Sequence, residues 1–167
     1  CDVELDLATG ARPDAVLALF PGSVYENAFG TVAVRHRDAL YEVTTFRSDH
    51  DYADFRRPHR VEFGDSIEDD LARRDFTVNA LAWGAPPGSE PALVDPYDGR
   101  ADIERRLLRA VGEPRRRFEE DALRMVRAVR LAATLDFTIE RDTLAAIEAN
   151  APLVRHLSGE RVWAELN

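Results

Sequence analysis

A chain of 167 residues can bury a core of its own, and its net charge of −9 argues against a protein that coats nucleic acid through a basic surface. No run approaches the length of a membrane span and no signal pattern opens the chain, so a soluble, cytoplasmic protein is expected. The single cysteine, Cys1, excludes an internal disulfide framework and a Cys-based zinc site, and all 22 basic residues are Arg, which excludes a Walker lysine or a Schiff base. The first residue is not Met, so the chain is expected to start inside a longer polypeptide.

Glu4 to Thr9 alternates acids with leucines and reads as a short strand. Pro13 stands where the first residue of a helix would, and Ala15, Val16, Leu17, Leu19 and Phe20 follow as an amphipathic helix that ends at Pro21-Gly22. Ser23 to Phe29, Thr31 to His36 and Ala39 to Phe46 read as strands, with turns at Gly30 and Arg37-Asp38. From Arg47 to Gly64 the pattern dissolves into Asp, His, Arg and Pro, and a long functional loop is expected. Ser66 with an acid three residues on marks a helix start, and that helix is expected to run through to Leu81. Ala92 to Asp95 reads as a strand before the turn at Pro96 to Gly99, and Leu107 to Val111 as an apolar run. A domain boundary near Gly112 divides the chain into residues 1–112 and 113–167. The second part is helical in pattern, with helices expected at about 114–134, 141–150 and 159–167.

Three sets of residues carry candidate chemistry. A strand places residues i and i+2 on one face, so Glu4 and Asp6 point the same way about 7 Å apart. Paired carboxylates of this kind suit Mg²⁺, which prefers oxygen ligands, and can seed a two-metal site for phosphoryl transfer. An alternating strand with acids on its solvent face has the same pattern. Glu42 lies among β-formers and completes an acid cluster if its strand runs beside the first. Within Arg73 to Leu81, Phe76, Ala80 and Leu81 fall at buried spacing, while Arg74 and Asn79 can project outward; a solvated charged face fits as well. Asp121, Arg124, Arg127 and Arg130 recur every third residue and are expected to form a slanted ridge on one helix. A carboxylate acceptor beside a guanidinium fork complements a nucleobase edge, and an ordinary salt-bridged helix is the alternative.

Seven segments stand in an order that is specific as a set: Glu4-Leu-Asp6-Leu-Ala-Thr9, Glu42-Val-Thr-Thr-Phe-Arg47, Arg56-Arg57-Pro58, Asp70-Leu-Ala-Arg-Arg74-Asp75-Phe-Thr-Val-Asn79-Ala-Leu81, Asp95-Pro-Tyr-Asp98-Gly99, Glu120-Asp121-x-x-Arg124-x-x-Arg127 and Gly159-Glu160-Arg161. In that order they resemble the class II tRNA nucleotidyltransferase and poly(A) polymerase family over practically the whole chain.

The resemblance implies an α+β fold, a nucleotidyltransferase head of mixed β-sheet with flanking helices followed by an all-helical neck. It implies an enzyme in which Glu4 and Asp6 hold two Mg²⁺ ions and Glu42 is a third catalytic acid. The reaction would be template-independent addition of CMP and AMP, from CTP and ATP, to tRNA 3′ ends. By the same match Arg74 contacts the incoming nucleotide, Asp75 and Asn79 shape its cleft, and Asp121 and Arg124 meet the Watson-Crick edge of the base. Arg127 and Arg130 lie behind them near phosphate or substrate. A tRNA 3′ end or another RNA is the implied partner, and no protein partner is implied.

Two departures keep rival readings open. Glu4 stands where the family has Asp, and the family's Gly-Gly and Arg-Asp element, which grips the triphosphate ahead of the acid pair, is missing from this sequence, so a head that lacks its first strand is expected. The chain is also expected to stop within the neck. Poly(A), A-only or CC-only addition uses much the same residues. A nucleotide- or RNA-binding module with impaired catalysis is the alternative from another class.

Overall fold

The structure is a computed structural model that describes residues 6–25, 30–37, 39–53, 57–64, 66–86 and 88–167, with backbone alone for 48–53 and 57–61. The chain forms two compact units, one from the residues up to His50 with Arg60–Asp70 and the other from Asp51–His59 with Leu71–Asn167. No helix among the described residues is long and apolar enough to cross a membrane.

The first unit is built on a four-stranded sheet of order β1-β4-β3-β2, with β1 Asp6–Thr9, β2 Val24–Tyr25, β3 Thr31–His36 and β4 Ala39–Thr45. β1 runs parallel to β4, and β3 runs antiparallel to both β4 and β2. The β-branched run of β3 sits at the centre of the sheet, where Val32 and Val34 are buried with Val16 of helix α1 (Pro13–Leu19). Burial of each such valine stabilises the fold by about 1.5–3 kcal/mol. Polar bonds then fix the corner: Thr9 Oγ1 accepts from the Ala11 amide at 3.1 Å, and Thr45 Oγ1 donates to the Ala11 carbonyl at 2.8 Å. They tie β1 to β4 in the register that sets Asp6 opposite Glu42, and a slip by one residue would turn every side chain to the other face. Gly30 at the start of β3 has φ +95°, and an added Cβ would stand 2.5 Å from the Phe63 ring.

The expected long loop is instead a two-stranded sheet of β5 (Arg47–Ala53) and β6 (Arg57–Phe63). A hairpin of this kind is held by main-chain bonds, which a composition too polar for a core does not disclose. Pro58 is tolerated because each strand of a two-stranded sheet keeps an open edge.

Helix α2 (Ile67–Ala72) starts where Ser66 Oγ accepts from the Asp69 amide at 3.1 Å. It stops short of the expected end at Leu81. Beyond Arg74 the backbone pairs with the apolar run: Val111 N donates to the Asp75 carbonyl at 3.0 Å and Thr77 N to the Arg109 carbonyl at 2.9 Å, in a bridge of Phe76 with Ala110. That pairing buries Phe76 completely, which outweighs the helical pattern of its neighbours. A 3-10 turn, Thr77–Asn79, follows.

Strands β7 (Ala82–Gly84) and β8 (Ala92–Val94) form a hairpin, and helix α3 (Gly99–Glu104) follows, begun by Asp95, whose carboxylate accepts from the amides of Gly99 and Arg100 at 2.7 and 3.0 Å. β9 (Leu107–Leu108) pairs in parallel with β10 (Thr138–Ile139). The expected helix at about 114–134 is two helices, α4 (Pro114–Glu120) and α5 (Leu123–Leu135). The break is at Asp121, extended at φ −147° and ψ 109°, whose Oδ1 accepts from the Leu123 amide at 3.0 Å. Aspartate side chains compete for backbone amides in this way and favour helix starts over interiors. Helices α6 (Arg141–Asn150) and α7 (Gly159–Leu166) match expectation, with a 3-10 segment, Ala151–His156, between them. The core of this unit gathers Phe76, Leu108, Ala110, Phe118, Ala122, Met125, Ala128 and Ala146.

Candidate functional site

The acids of the first unit meet through strand register. Asp6 of β1 and Glu42 of β4 are direct partners in a parallel pair, so their side chains leave the same face of the sheet, and both are exposed. Glu4 lies outside the described residues. Among the described residues no group of three His, Cys, Asp or Glu side chains gathers, so Asp6 and Glu42 stand as a pair. Two exposed carboxylates on one face are hard oxygen donors with room for water, the donor set that Mg²⁺ favours.

The remaining candidates belong to the second unit. Arg74 is half-buried just past α2, where its amide donates to the Leu71 carbonyl at 3.1 Å. Asp75 is 7 % exposed, and its Oδ1 accepts from the Phe76 amide at 2.8 Å and from Asn79 Nδ2 at 3.2 Å. Asn79 ends the 3-10 turn with its side chain exposed.

Asp121, Arg124, Arg127 and Arg130 do not form a ridge on one helix, because the break puts Asp121 ahead of α5. Each meets a counter-charge. Asp121 takes Arg161 Nη2 of α7 at 3.2 and 2.9 Å. Arg124 Nη1 donates to Glu120 Oε2 at 2.8 Å and to the Arg117 carbonyl at 3.1 Å, and Nη2 to the Arg73 carbonyl at 3.3 Å. Arg127 Nη1 reaches Asp75 Oδ2 at 3.0 Å, while Nε and Nη2 meet Glu165 of α7. Arg130 closes on the same Glu165 Oε1 through Nε at 2.9 Å and Nη2 at 2.7 Å.

These contacts decide the charge states. Burial alone would raise the Glu165 carboxyl, but the hydrogen bonds and positive charge of Arg127 and Arg130 outweigh it and hold the group below its ordinary value. Burial would likewise lower Arg127, yet Glu165 and Asp75 outweigh it and raise the guanidinium further. Arg127 therefore stays charged and links two carboxylates, one from the stretch after α2 and one from α7.

Four side chains that the sequence reading left without a role hold this row: Arg117, Glu120, Arg161 and Glu165. Gly159-Glu160-Arg161 is one of the seven motif segments, and Glu165 follows Arg161 by one helical turn, a spacing that puts the two on one face of a helix. Their partners are 35 to 40 residues away for α7, which spacing along a helix does not reveal.

Residues 2–109 match the family described as the Poly A polymerase head domain, and residues 136–167 match one described as a probable RNA and SrmB-binding site of polymerase A. A CCA-adding enzyme of Geobacillus thermodenitrificans is 50% identical over 164 residues, which cover 98% of this chain and 40% of that protein. The CCA-adding enzyme of Geobacillus stearothermophilus is 48% identical over the same shares. The crystal structure of a Bacillus stearothermophilus CCA-adding enzyme in complex with CTP aligns with a TM-score of 0.86 and 43% identity, over 99% of this chain and 39% of that one. The chain spans about two-fifths of the length of the curated relatives it matches.

Proposed function

The chain belongs to the Poly A polymerase head-domain family, and on that premise we propose that it is the nucleotidyl-transferring part of an enzyme that adds CMP and AMP, from CTP and ATP, to the 3′ end of tRNA. The observation that carries the reaction class is the register pairing of Asp6 with Glu42. With Glu4 they are the acids that would hold Mg²⁺. The cation supplies charge neutralisation at the α-phosphate and a more acidic attacking hydroxyl when bound.

The second unit supplies the choice of nucleotide. CTP and ATP both present an exocyclic amino group beside an unprotonated ring nitrogen, so a carboxylate acceptor next to a guanidinium donor complements both bases. UTP and GTP reverse that pattern with a carbonyl beside a ring N–H. Asp121 and Arg124 take the acceptor and donor roles. Arg74 contacts the incoming nucleotide, Asp75 and Asn79 shape its surroundings, and Arg127 and Arg130 stand behind the reading pair. The head takes in residues 1–112 and the neck begins at 113, and the work belongs to the cytoplasm.

Incorporation of labelled CTP and ATP, with Mg²⁺, onto tRNA transcripts that end before, within or after CCA tests the proposal in the full-length protein. Addition of both nucleotides that stops at CCA is the expected result. Addition of ATP alone would make it an A-adding or poly(A) enzyme, and binding without any addition would make it a nucleotide-binding module.

A further inference from the structure

Arg35 lies on the face of the sheet that carries the acids. In the antiparallel pair of β3 with β4, Ala33 stands opposite Glu42 and Arg35 opposite Leu40. Side chains alternate along a strand, so Asp6, Glu42, Ala33, Arg35 and Leu40 leave one face. Packing fixes the other face: Val32, Val34 and Val43, at the alternate positions, gather with Val16 of α1. Helix α1 thus takes the valine face, and on the acid face Asp6, Glu42, Leu40 and Arg35 are all exposed.

Arg35 is the diagonal neighbour of Glu42, about 7–8 Å away, a separation that long side chains still span. β4 lies between β1 and β3, so the arginine stands across Glu42 from Asp6. Its direct partner is Leu40, 61 % exposed, so the position opposite the cation carries no carboxylate to neutralise it. Among the described residues its guanidinium has no hydrogen bond or ion pair. A chain of net charge −9 with two acids on one face repels phosphate. A cation fixed beside those acids on an inner strand offsets that repulsion where phosphate has to arrive.

We infer that Arg35 binds a phosphate group of a substrate on the far side of Glu42 from Asp6. This rests on the reading of Asp6 and Glu42 as the acids of the reaction. The backbone of the tRNA 3′ end and the triphosphate of CTP or ATP both offer paired oxygens to a guanidinium fork. Arg35 supplies binding, while the transfer itself stays with the acids and the cation they hold.

The test is steady-state incorporation, beside tRNA binding at several salt concentrations, by the full-length protein carrying Arg35→Gln or Arg35→Lys. Arg35→Gln should raise KM about tenfold, the worth of one hydrogen bond to a charged group, and leave kcat within about twofold. With a tRNA phosphate as the ligand, KM for tRNA rises, KM for CTP and ATP stays, and the salt dependence of tRNA binding falls by about one phosphate's share of its slope. With the triphosphate as the ligand, KM for CTP and ATP rises and the slope for tRNA stays. Arg35→Lys, which keeps the charge without the fork, should recover part of either loss, and both variants should melt with the parent. Unchanged KM values with an unchanged slope, or a loss of activity that only follows a lowered melting point, would overturn the inference and leave Asp6 and Glu42 in their roles. A parent protein that incorporates neither nucleotide would instead remove the acid-site reading and the inference with it.

Discussion

Arg161 donates Nη2 to both carboxylate oxygens of Asp121, at 3.2 and 2.9 Å, from a helix 40 residues further along the chain. One turn later on the same helix, Glu165 receives Arg127 and Arg130. Helix α7 thus presents a cation and then an anion to a row that runs from anion to cations. The complement is one of sequence order as well as charge: Arg161 and Glu165 at i and i+4 face residues on either side of Arg124.

Asp121 has two structural duties, and they can be separated. Its Oδ1 receives the Leu123 amide, and both oxygens receive Arg161. Asp121→Asn keeps an acceptor for the amide and loses the charge, whereas Asp121→Ala loses both. The alanine variant should be less stable than the asparagine variant by about 1 kcal/mol, the usual worth of a helix-starting side chain. Both should lose preference for CTP and ATP. Urea denaturation beside nucleotide competition measures the two effects apart.

Glu165 gives the fold an acid-sensitive clasp. Its folded carboxyl sits below the ordinary value, so the contribution to stability is complete above the unfolded pKa, near 4.3 for Glu, and is lost as the pH falls through the lower folded value. Glu165→Gln should therefore be less stable than the parent by a constant margin from about pH 8 to 5. The margin should narrow below about pH 4.3. Denaturation midpoints at several pH values decide this, and a margin that widens in acid would contradict it.

The parts of the fold that were legible in the sequence are those fixed by local chemistry. Thr31 to His36 carries a β-branched run, Pro13 and Pro114 mark helix starts, and Arg141 to Asn150 is bounded as expected. The misplaced elements are those fixed at a distance. Phe76 leaves the helical pattern because Ala110 and Val111 offer it a backbone partner more than thirty residues on. Asp121 interrupts an unbroken helical pattern because its carboxylate takes Leu123 N and Arg161. The candidate site divides in the same way: motif order singles out Asp6, Glu42, Asp121 and Arg124 as candidates, with Glu120 in the same motif one helical turn before Arg124, whereas the ties of Glu165 to Arg127 and Arg130 are visible only where the chain folds back on itself.

The acids of the sheet should be dispensable for folding and necessary for turnover. Asp6 and Glu42 are exposed, and surface substitutions away from buried features change stability by no more than about 0.5 kcal/mol. Asp6→Asn and Glu42→Gln should each melt with the parent protein. Loss of a metal-holding carboxylate forfeits several kcal/mol of transition-state stabilisation, so nucleotide incorporation with Mg²⁺ should fall by about 100-fold or more. Equal losses of melting temperature and activity would instead assign the pair to the fold.

Two glycines, both at the first position of a helix, should respond oppositely to alanine. Gly99 is buried, and an added Cβ would run into the carbonyl group of Thr77 and lie 3.1 Å from Leu81 Cδ1. Thr77 cannot give way freely, because its amide donates to Arg109 and its Oγ1 donates to the buried Asp102 at 2.6 Å. Gly99→Ala should cost about 1–3 kcal/mol, the penalty of overpacking a filled site. It should also weaken CTP binding, because the 3-10 turn that must move ends at Asn79. Gly159, at the start of α7, has nothing within 4 Å of the added atom, and alanine is the better helix former, so Gly159→Ala should be neutral or stabilising by up to about 1 kcal/mol. Urea denaturation of the two variants beside the parent settles both signs, and a Gly99→Ala protein as stable as the parent would show that the Thr77 turn is not fixed in place.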